Sequence, residues 1–109
     1  MILFGSEDNG AHRYIESFLK MCPDLNSNFI VPKDPISFLK SDNREKIDAI
    51  LTGSSYGDNT IDKQLWRFSF GSNIKSIAII EHWSWYIERF LERDKLIVPD
   101  KIIVNDRLA

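Results

Sequence analysis

The fold is decided by the stretch Ile47-Asp-Ala-Ile-Leu-Thr-Gly-Ser-Ser-Tyr-Gly-Asp-Asn-Thr-Ile-Asp-Lys-Gln-Leu65. Its opening residues, Ile47 to Leu51, are mostly apolar and predict a buried strand. A turn with two glycines follows, and helical spacing begins at Ile61. A turn between a strand and a helix can present backbone N–H groups to an anion. The stretch therefore predicts a strand–turn–helix unit with a candidate binding turn.

Outward from this unit, strand and helix alternate about every 20 to 25 residues, which predicts a parallel sheet between two layers of helices, a three-layer α/β/α fold with five strands. Strand order 2-1-3-4-5 would make strands one and three neighbours and bring both glycine-bearing loops to the place where such sheets bind ligands. Order 3-2-1-4-5 is the alternative. The other predicted strands are Met1–Phe4, Asn28–Val31, Ile77–Ile80 and Lys101–Val104.

Five helices are predicted between and after these strands. The first spans Ala11–Met21, and the second starts at Pro35 with Asp34 as its N-cap. The third runs from a cap at Asp58, Asn59 or Thr60 to a stop at Gly71. The fourth spans Ser84–Arg93, and the fifth starts at Asn105.

Length and composition indicate one globular domain. The chain has 109 residues, of which 43% are hydrophobic and 28% charged, as expected for a single domain over residues 1–109. The formal net charge of -2 gives no basic excess for nucleic acid or an anionic membrane. No apolar run is long enough to span a bilayer, and no signal-peptide pattern opens the chain. Cys22 is the only cysteine, so no internal disulfide forms and a reducing, cytoplasmic location is expected.

Polar residues concentrate in the segments that follow the predicted strands, and these segments lie along one edge of a parallel sheet. The first loop, Gly5 to Gly10, has the glycine spacing of a phosphate loop, but Ala11 and His12 stand where Lys and Ser or Thr should follow. A triphosphate site is therefore not expected, and no cofactor is predicted. The alternative role for these glycines is a tight turn. The candidate ligand-binding residues are Gly5, Ser6, Gly10, Gly53, Ser54, Ser55, Tyr56, Asn105 and Asp106.

Three titratable residues at the same edge are candidates for catalysis. His12, in the first turn of the first helix, is a candidate general base. Glu81 and His82 follow the fourth predicted strand and are candidates for holding ligand hydroxyl groups. The alternative is an exposed helix-start histidine at 12 and a structural histidine at 82 with its hydrogen bonds satisfied. Two histidines without further ligand spacing predict no metal site.

Two further features are less specific. Residues 53–57 match the G-x-S-x-G pattern of hydrolases with Ser55 in the middle, but Asp106 and His82 come in the wrong order for the remaining triad members. A hydrolase is therefore ranked low. An aromatic cluster after the fourth strand would either stack on a sugar or base or pack in the core. Its members are Trp83, Trp85 and Tyr86.

Three short motifs together resemble the N-terminal half of GT-B glycosyltransferases, a layout shared with nucleotide-sugar 2-epimerases. The first is Ile2-Leu-Phe-Gly5 leading to Gly10-Ala-His12, similar to that family's first strand, Gly-rich loop and helix start. The second is the strand Asp48-Ala-Ile-Leu-Thr-Gly53. The third is the later pair of strands, Ile77–His82 and Pro99–Asp106. The resemblance covers nearly the whole chain and implies a Rossmann-like domain.

What the resemblance implies is an acceptor-side domain that binds a sugar or a nucleotide-sugar. This chain differs from the family in three ways. Its first loop has fewer glycines, and one strand–helix unit of the family has no counterpart in it. The family's second domain, which binds most of the nucleotide-sugar, has no counterpart either. The chain would then be a fragment or a stand-alone relic that needs a C-terminal domain for turnover. The rival hypothesis is a non-catalytic doubly wound module that binds a partner or a second copy of itself. Its phosphorelay-receiver form is rejected because Thr52-Gly53 and Asn105-Asp106 do not supply the required Asp and Lys.

Overall fold

The structure is a computed structural model that describes residues 1–80 and 87–104. Its strands are β1 (Ile2–Gly5), β2 (Phe29–Ile30), β3 (Ala49–Thr52), β4 (Lys75–Ile80), β5 (Leu91–Glu92), β6 (Lys95–Leu96) and β7 (Lys101–Val104). Five of them form one parallel sheet in the order β2-β1-β3-β4-β7. The predicted order 2-1-3-4-5 is confirmed, with β7 as the fifth strand. The alternative order 3-2-1-4-5 is wrong because strands one and three pair directly, with Leu3 opposite Ile50.

Helices cover both faces of the sheet, which confirms the predicted three-layer arrangement. Leu3 packs in a cluster with Leu39 and Leu65, which belong to the second and third helices. The next residue, Phe4, packs with Ile15 of the first helix. Adjacent residues of a strand face opposite sides of the sheet, so the first helix covers one face and the other two cover the opposite face. The α-helices are α1 (Asn9–Met21), α2 (Pro35–Lys40) and α3 (Ile61–Phe70), and short 3-10 helices span Pro23–Asn28, Asp42–Lys46 and Glu88–Phe90.

Capping residues fix where the helices begin. The side chain of Asp34 caps α2, and Pro35 is its first residue, as the sequence predicts. Of the three candidate caps for α3, Thr60 is the one used, and its hydroxyl accepts a hydrogen bond from the Lys63 N–H at 3.2 Å. Gly71 lies at the C-cap of α3, as predicted. The caps place the first turn of α3 directly after the loop that follows β3.

The helix predicted over Ser84–Arg93 is wrong in the part that the structure describes. A short 3-10 turn leads into β5 and β6, which pair in an antiparallel hairpin. The turn residues Arg93 and Asp94 have φ values of 50° and 65°, as a tight two-residue hairpin turn requires. Phe90 stacks on Trp66 of α3 with ring centres 5.4 Å apart, which holds the hairpin against the helix. Phe90 therefore serves that contact and not a helix face.

Candidate functional site

The carboxyl edge of the sheet brings together the loops that follow β1 and β3. These strands pair side by side, with Gly5 opposite Thr52 at their ends. From there the chain leaves to opposite faces of the sheet, through α1 after β1 and through α3 after β3. Ligands of doubly wound sheets bind where the direction of the connections reverses in this way. The two loops are therefore the place to look for a site.

A buried hydrogen-bond network joins the two loops. The Ser6 hydroxyl donates to Asp62 Oδ2 at 2.7 Å, and the Glu7 N–H donates to Asp62 Oδ1 at 2.9 Å. Ser6 Oγ also accepts from the Asp8 N–H at 3.0 Å and lies 3.3 Å from Ser55 Oγ. Asp62 is 0% exposed and Ser55 is 7% exposed. Because an ionised carboxylate only accepts hydrogen bonds, Asp62 fixes the direction of the protons around it.

Gly53 lets the two loops approach this closely. A Cβ atom on this residue would lie 2.7 Å from Ala11 Cβ, 2.8 Å from Ser6 Oγ and 3.3 Å from Asp62 Oδ2. Ordinary van der Waals contact needs more space than the first two distances allow. The glycine of the predicted binding turn is thus required for packing of β3 against α1 and the β1 loop.

Protein carboxylates already occupy the helix starts at this edge. Glu7 Oε1 accepts a hydrogen bond from the Ile61 N–H in the first turn of α3 at 3.3 Å. Asp8 caps α1 by accepting from the Gly10 N–H at 2.9 Å. A phosphate placed at either helix start would meet one of these negative side chains. At Ile61, the anion that accepts the N–H of the helix start is therefore the side chain of Glu7.

A cavity of about 340 Å³ lies beside the network, lined in the described part of the chain by Glu7, Asp8, Ser55, Tyr56 and Arg89. Its volume falls at the small end of the usual range for ligand sites, about 300–1,000 Å³. Tyr56 is 65% exposed and also borders a second cavity of about 550 Å³ on the hairpin side. Two carboxylates against one guanidinium leave the lining with an excess of hydrogen-bond acceptors and of negative charge.

No family model, curated protein or solved structure matches this chain. Within residues 1–80 and 87–104, no group of three or more His, Cys, Asp or Glu side chains is placed to hold a metal ion. The helices of the same ranges are too short or too polar to cross a membrane. A function must therefore be inferred from the chemistry of the cavity and the loops that form it.

Lys63 ties the β3–α3 loop to the hairpin. It is 0% exposed, and its ammonium donates to the Leu91 carbonyl at 2.7 Å and to the Gly57 carbonyl. Burial lowers the pKa of Lys63, an effect partly offset by the carboxylates of Glu92 and Asp58. This lysine is a structural cation that holds the loop in place.

The hairpin segment makes further contacts to the same loop, one of them from the Arg93 N–H to Asp58 Oδ1 at 2.9 Å. Arg89 donates through Nη1 to the Ser54 carbonyl at 2.9 Å. Glu92 accepts from the Asn59 N–H at 2.6 Å and pairs with Arg67 of α3. The loop that carries Ser54, Ser55 and Tyr56 is thus fixed from outside the strand–helix unit to which it belongs.

His12, the candidate base, lies against the β1 loop. Its Nε2 is 2.9 Å from the Ser6 carbonyl, and because a carbonyl only accepts, Nε2 carries the proton in this contact. The imidazole also meets the Phe4 ring edge-on, with centres 5.0 Å apart. Only Nδ1 is left to accept a proton from a ligand, and the role of His12 as a base stays a prediction.

The remaining predicted site residues divide into two groups. Gly5 packs under the helices, since a Cβ there would lie 2.9 Å from both Leu65 Cδ1 and Pro35 Cγ, and Gly10 lies inside α1. Neither glycine lines the cavity described above. The second group falls outside the described residues, and its roles stay predictions. It comprises Glu81, His82, Asn105 and Asp106, together with the aromatic residues Trp83, Trp85 and Tyr86.

Asp62, Lys63 and Arg89 are site residues that the sequence reading missed. Asp62 and Lys63 stand four and three positions before Trp66, which places all three on one side of α3. A tryptophan on the buried side of a helix was the signal that these two charges lie inside the protein. No comparable signal pointed to Arg89, because the apolar spacing of its segment predicted a helix.

Proposed function

We propose that this chain is an acceptor-side, sugar-binding domain related to the N-terminal half of GT-B glycosyltransferases and is incomplete as an enzyme by itself. The observation that carries the proposal is the cavity between the β1 and β3 loops, with Glu7, Asp8, Ser55 and Tyr56 in its lining. Carboxylates and a hydroxyl accept hydrogen bonds from sugar hydroxyl groups. Tyr56 is 65% exposed and adds aromatic surface to the lining.

The occupied helix starts support an acceptor sugar over a nucleotide at this edge. Glu7 takes the Ile61 N–H that a phosphate would use, and Asp8 adds a second negative charge. Binding of a diphosphate would require displacing or neutralising both side chains. The nucleotide part of a donor substrate is therefore assigned to a second domain, in agreement with what the resemblance implies.

Within this proposal the candidate catalytic residues act on the acceptor. His12 would serve as the base through Nδ1, and Glu81 with His82 would hold sugar hydroxyl groups. Gly53, Ser54, Ser55 and Tyr56 shape the acceptor subsite. Transfer would take place only when a second domain brings the nucleotide-sugar to this edge.

Truncating Tyr56 tests the subsite directly. Titration of the ¹⁵N-labelled chain with methyl glucoside and other simple glycosides is expected to shift the Ser55 and Tyr56 amides saturably. Tyr56→Ala should weaken that binding about three- to tenfold, the loss expected for one aromatic contact. The control is Tyr14→Ala, which removes a half-exposed ring from α1 and should leave binding unchanged.

Two outcomes would contradict the proposal. One is a complete lack of amide shifts at this edge with every simple glycoside tried. The other is turnover of a nucleotide-sugar by the isolated chain, because the proposal assigns donor binding to a second domain. UDP, added as a separate probe, should leave the Ser55 and Tyr56 amides unshifted.

The alternative function is a non-catalytic interaction module that pairs with a second copy of itself. One observation favours it: β7 is the last strand of the described sheet, and its apolar residues Ile102, Ile103 and Val104 are all exposed. An uncovered apolar edge strand is a template for pairing with another chain. Sedimentation that gives a monomer mass at every concentration tested would remove this alternative.

A further inference from the structure

A separate cavity of about 380 Å³, here called the basic cavity, is lined by residues of α3, of the loop before it and of the β5–β6 hairpin. In the described part of the chain it shares no lining residue with the cavity of the proposed acceptor site. Three of its lining side chains are cations and one is a carboxylate, so positive charge is in excess by two, on a chain whose formal net charge is -2. The lining residues are the cations Arg67, Arg93 and Lys95, the carboxylate Glu92, and Asn59, Leu96 and Ile97.

The carboxylate of the basic cavity is already committed. Glu92 Oε1 pairs with the Arg67 guanidinium, and Glu92 Oε2 accepts from the Asn59 N–H at 2.6 Å. Within residues 1–80 and 87–104, neither Arg93 nor Lys95 forms an ion pair. These two side chains therefore bring positive charge to the cavity that no described carboxylate pairs with, and an anion in the cavity would complement it.

Arg67 is held in position with donors to spare. Its Nη1 donates to Glu92, and its Nη2 donates to the side-chain oxygen of Asn59 at 2.8 Å. A guanidinium carries five N–H donors in a fixed planar arrangement. These contacts use two of the five, so the group meets a ligand already oriented and with free donors.

The position of Arg93 breaks a local rule of hairpin turns. Its φ of 50° lies in the left-handed region, which Gly, Asn and Asp occupy at lower cost than arginine. Among the described residues only the backbone of Arg93 has a hydrogen-bond partner, through its N–H to Asp58, and the guanidinium has none that would offset this cost. An unfavourable backbone conformation at a residue that lines a cavity is typical of a functional position.

We infer that the basic cavity binds a small organic phosphate monoester through Arg67, Arg93 and Lys95. A phosphate monoester carries about 1.5 to 2 negative charges at neutral pH, which matches the excess of positive charge, whereas one carboxylate would neutralise only half of it. Guanidinium donors bind phosphate oxygens in pairs.

The rest of the lining favours a small ligand with a carbon skeleton. Leu96 is 68% exposed and Ile97 is partly exposed, so together they offer an apolar wall to the organic part. The volume lies near the lower end of the usual range for ligand sites, about 300–1,000 Å³, and suits a small molecule better than a polymer. The assignment is independent of the proposed function, because the two cavities share no described lining residue.

Arg93→Asn tests the assignment because it should move affinity and stability in opposite directions. The probe is glycerol 3-phosphate, titrated at low ionic strength into ¹⁵N-labelled protein, and saturable shifts are expected at the amides of residues 93 to 97. Arg93→Asn should weaken this binding about five- to tenfold. It should also raise the Tm of the free protein by about 2–5 °C, because asparagine adopts a positive φ more readily than arginine. An arginine that served only the structure of the hairpin would give a lower Tm and unchanged binding when replaced.

Two further variants and two further probes complete the test. Arg13→Gln removes the same charge from an exposed position on α1 outside the cavity and should leave the affinity unchanged. Lys95→Gln removes the third cation and should weaken binding about three- to fivefold. Acetate, with one negative charge, should bind at least tenfold more weakly than glycerol 3-phosphate. A phosphoserine peptide should bind no more than tenfold more tightly than that probe.

Several outcomes would overturn the inference. One is the absence of shifts at residues 93 to 97 with millimolar glycerol 3-phosphate, and another is equal affinity for acetate. An equal loss of affinity in Arg13→Gln and Arg93→Asn would show a general response to net charge, and a phosphoserine peptide that binds far more tightly would point to a protein partner instead. If Arg93→Asn does not fold, the Lys95→Gln result decides. Glycoside binding at Ser55 and Tyr56 is measured at other amides, so the inference and the proposed function can fail separately.

Discussion

Replacing Gly53 with alanine is expected to lower the free energy of unfolding by about 2–3 kcal/mol, a large effect for one methyl group. The added Cβ would lie 2.7 Å from Ala11 Cβ and 2.8 Å from Ser6 Oγ, so something must move. Ala11 belongs to α1 and cannot retreat without shifting the helix, and Ser6 cannot turn away without breaking its bond to buried Asp62. The energetic cost is therefore steric and is increased by the loss of a charge-assisted hydrogen bond.

The matched control is Gly71→Ala at the end of α3. No atom lies within 4 Å of a Cβ at that position, and its φ of -97° is accessible to any residue. The change in unfolding free energy there should stay within about 0.5 kcal/mol. Urea denaturation followed by tryptophan fluorescence measures both variants. Equal stability of the two variants would mean that the loops do not approach each other as closely as described.

The features that sequence could predict are those that depend on local patterns. Apolar strands such as Ile77–Ile80, with a cap at Asp34 and another at Asp58, Asn59 or Thr60, predicted the alternation of elements. The order of the strands followed from one general rule, the placing of glycine-bearing loops at the reversal point. β2 is shorter than predicted, Phe29–Ile30 in place of Asn28–Val31, because the preceding 3-10 helix extends through Asn28.

What could not be predicted depends on contacts between segments far apart in sequence. The spacing of Ile87, Phe90 and Leu91 suits a helix, but the stacking of Phe90 on Trp66 and the turn at Arg93 make a hairpin instead. That hairpin supplies the carbonyl and carboxylate groups that fix the β3–α3 loop. Of the site residues that the sequence did not indicate, Lys63 has a partner in this segment, the Leu91 carbonyl, and Arg89 belongs to the segment itself. Asp62 instead finds its partners in the β1 loop, which is also far from it in sequence.

Replacing Lys63 with methionine is expected to lower the free energy of unfolding by about 2–4 kcal/mol. Methionine keeps the length and apolar stem of the side chain but leaves the Leu91 and Gly57 carbonyls without the ammonium that now bonds to them. Two partly buried carbonyls that lose their donor account for most of the effect. Lys20→Met, at an exposed position in the last turn of α1, is the control and should change stability by less than about 0.5 kcal/mol.

The pH dependence of the free energy of unfolding, compared between wild type and Lys63→Met, tests whether Lys63 is a buried cation. Burial lowers the pKa of Lys63 in the folded state below the ordinary lysine value of 10.5, so folded protein loses this proton before unfolded protein does. In this pH range the unfolded state binds more protons than the folded state. The free energy of unfolding of wild type therefore increases with pH until 10.5 is passed. The stability difference between wild type and Lys63→Met should therefore grow between neutral pH and 10.5. A difference that stays constant over this range would show that burial does not lower the pKa of Lys63, and a difference that shrinks would show that the neighbouring carboxylates raise it.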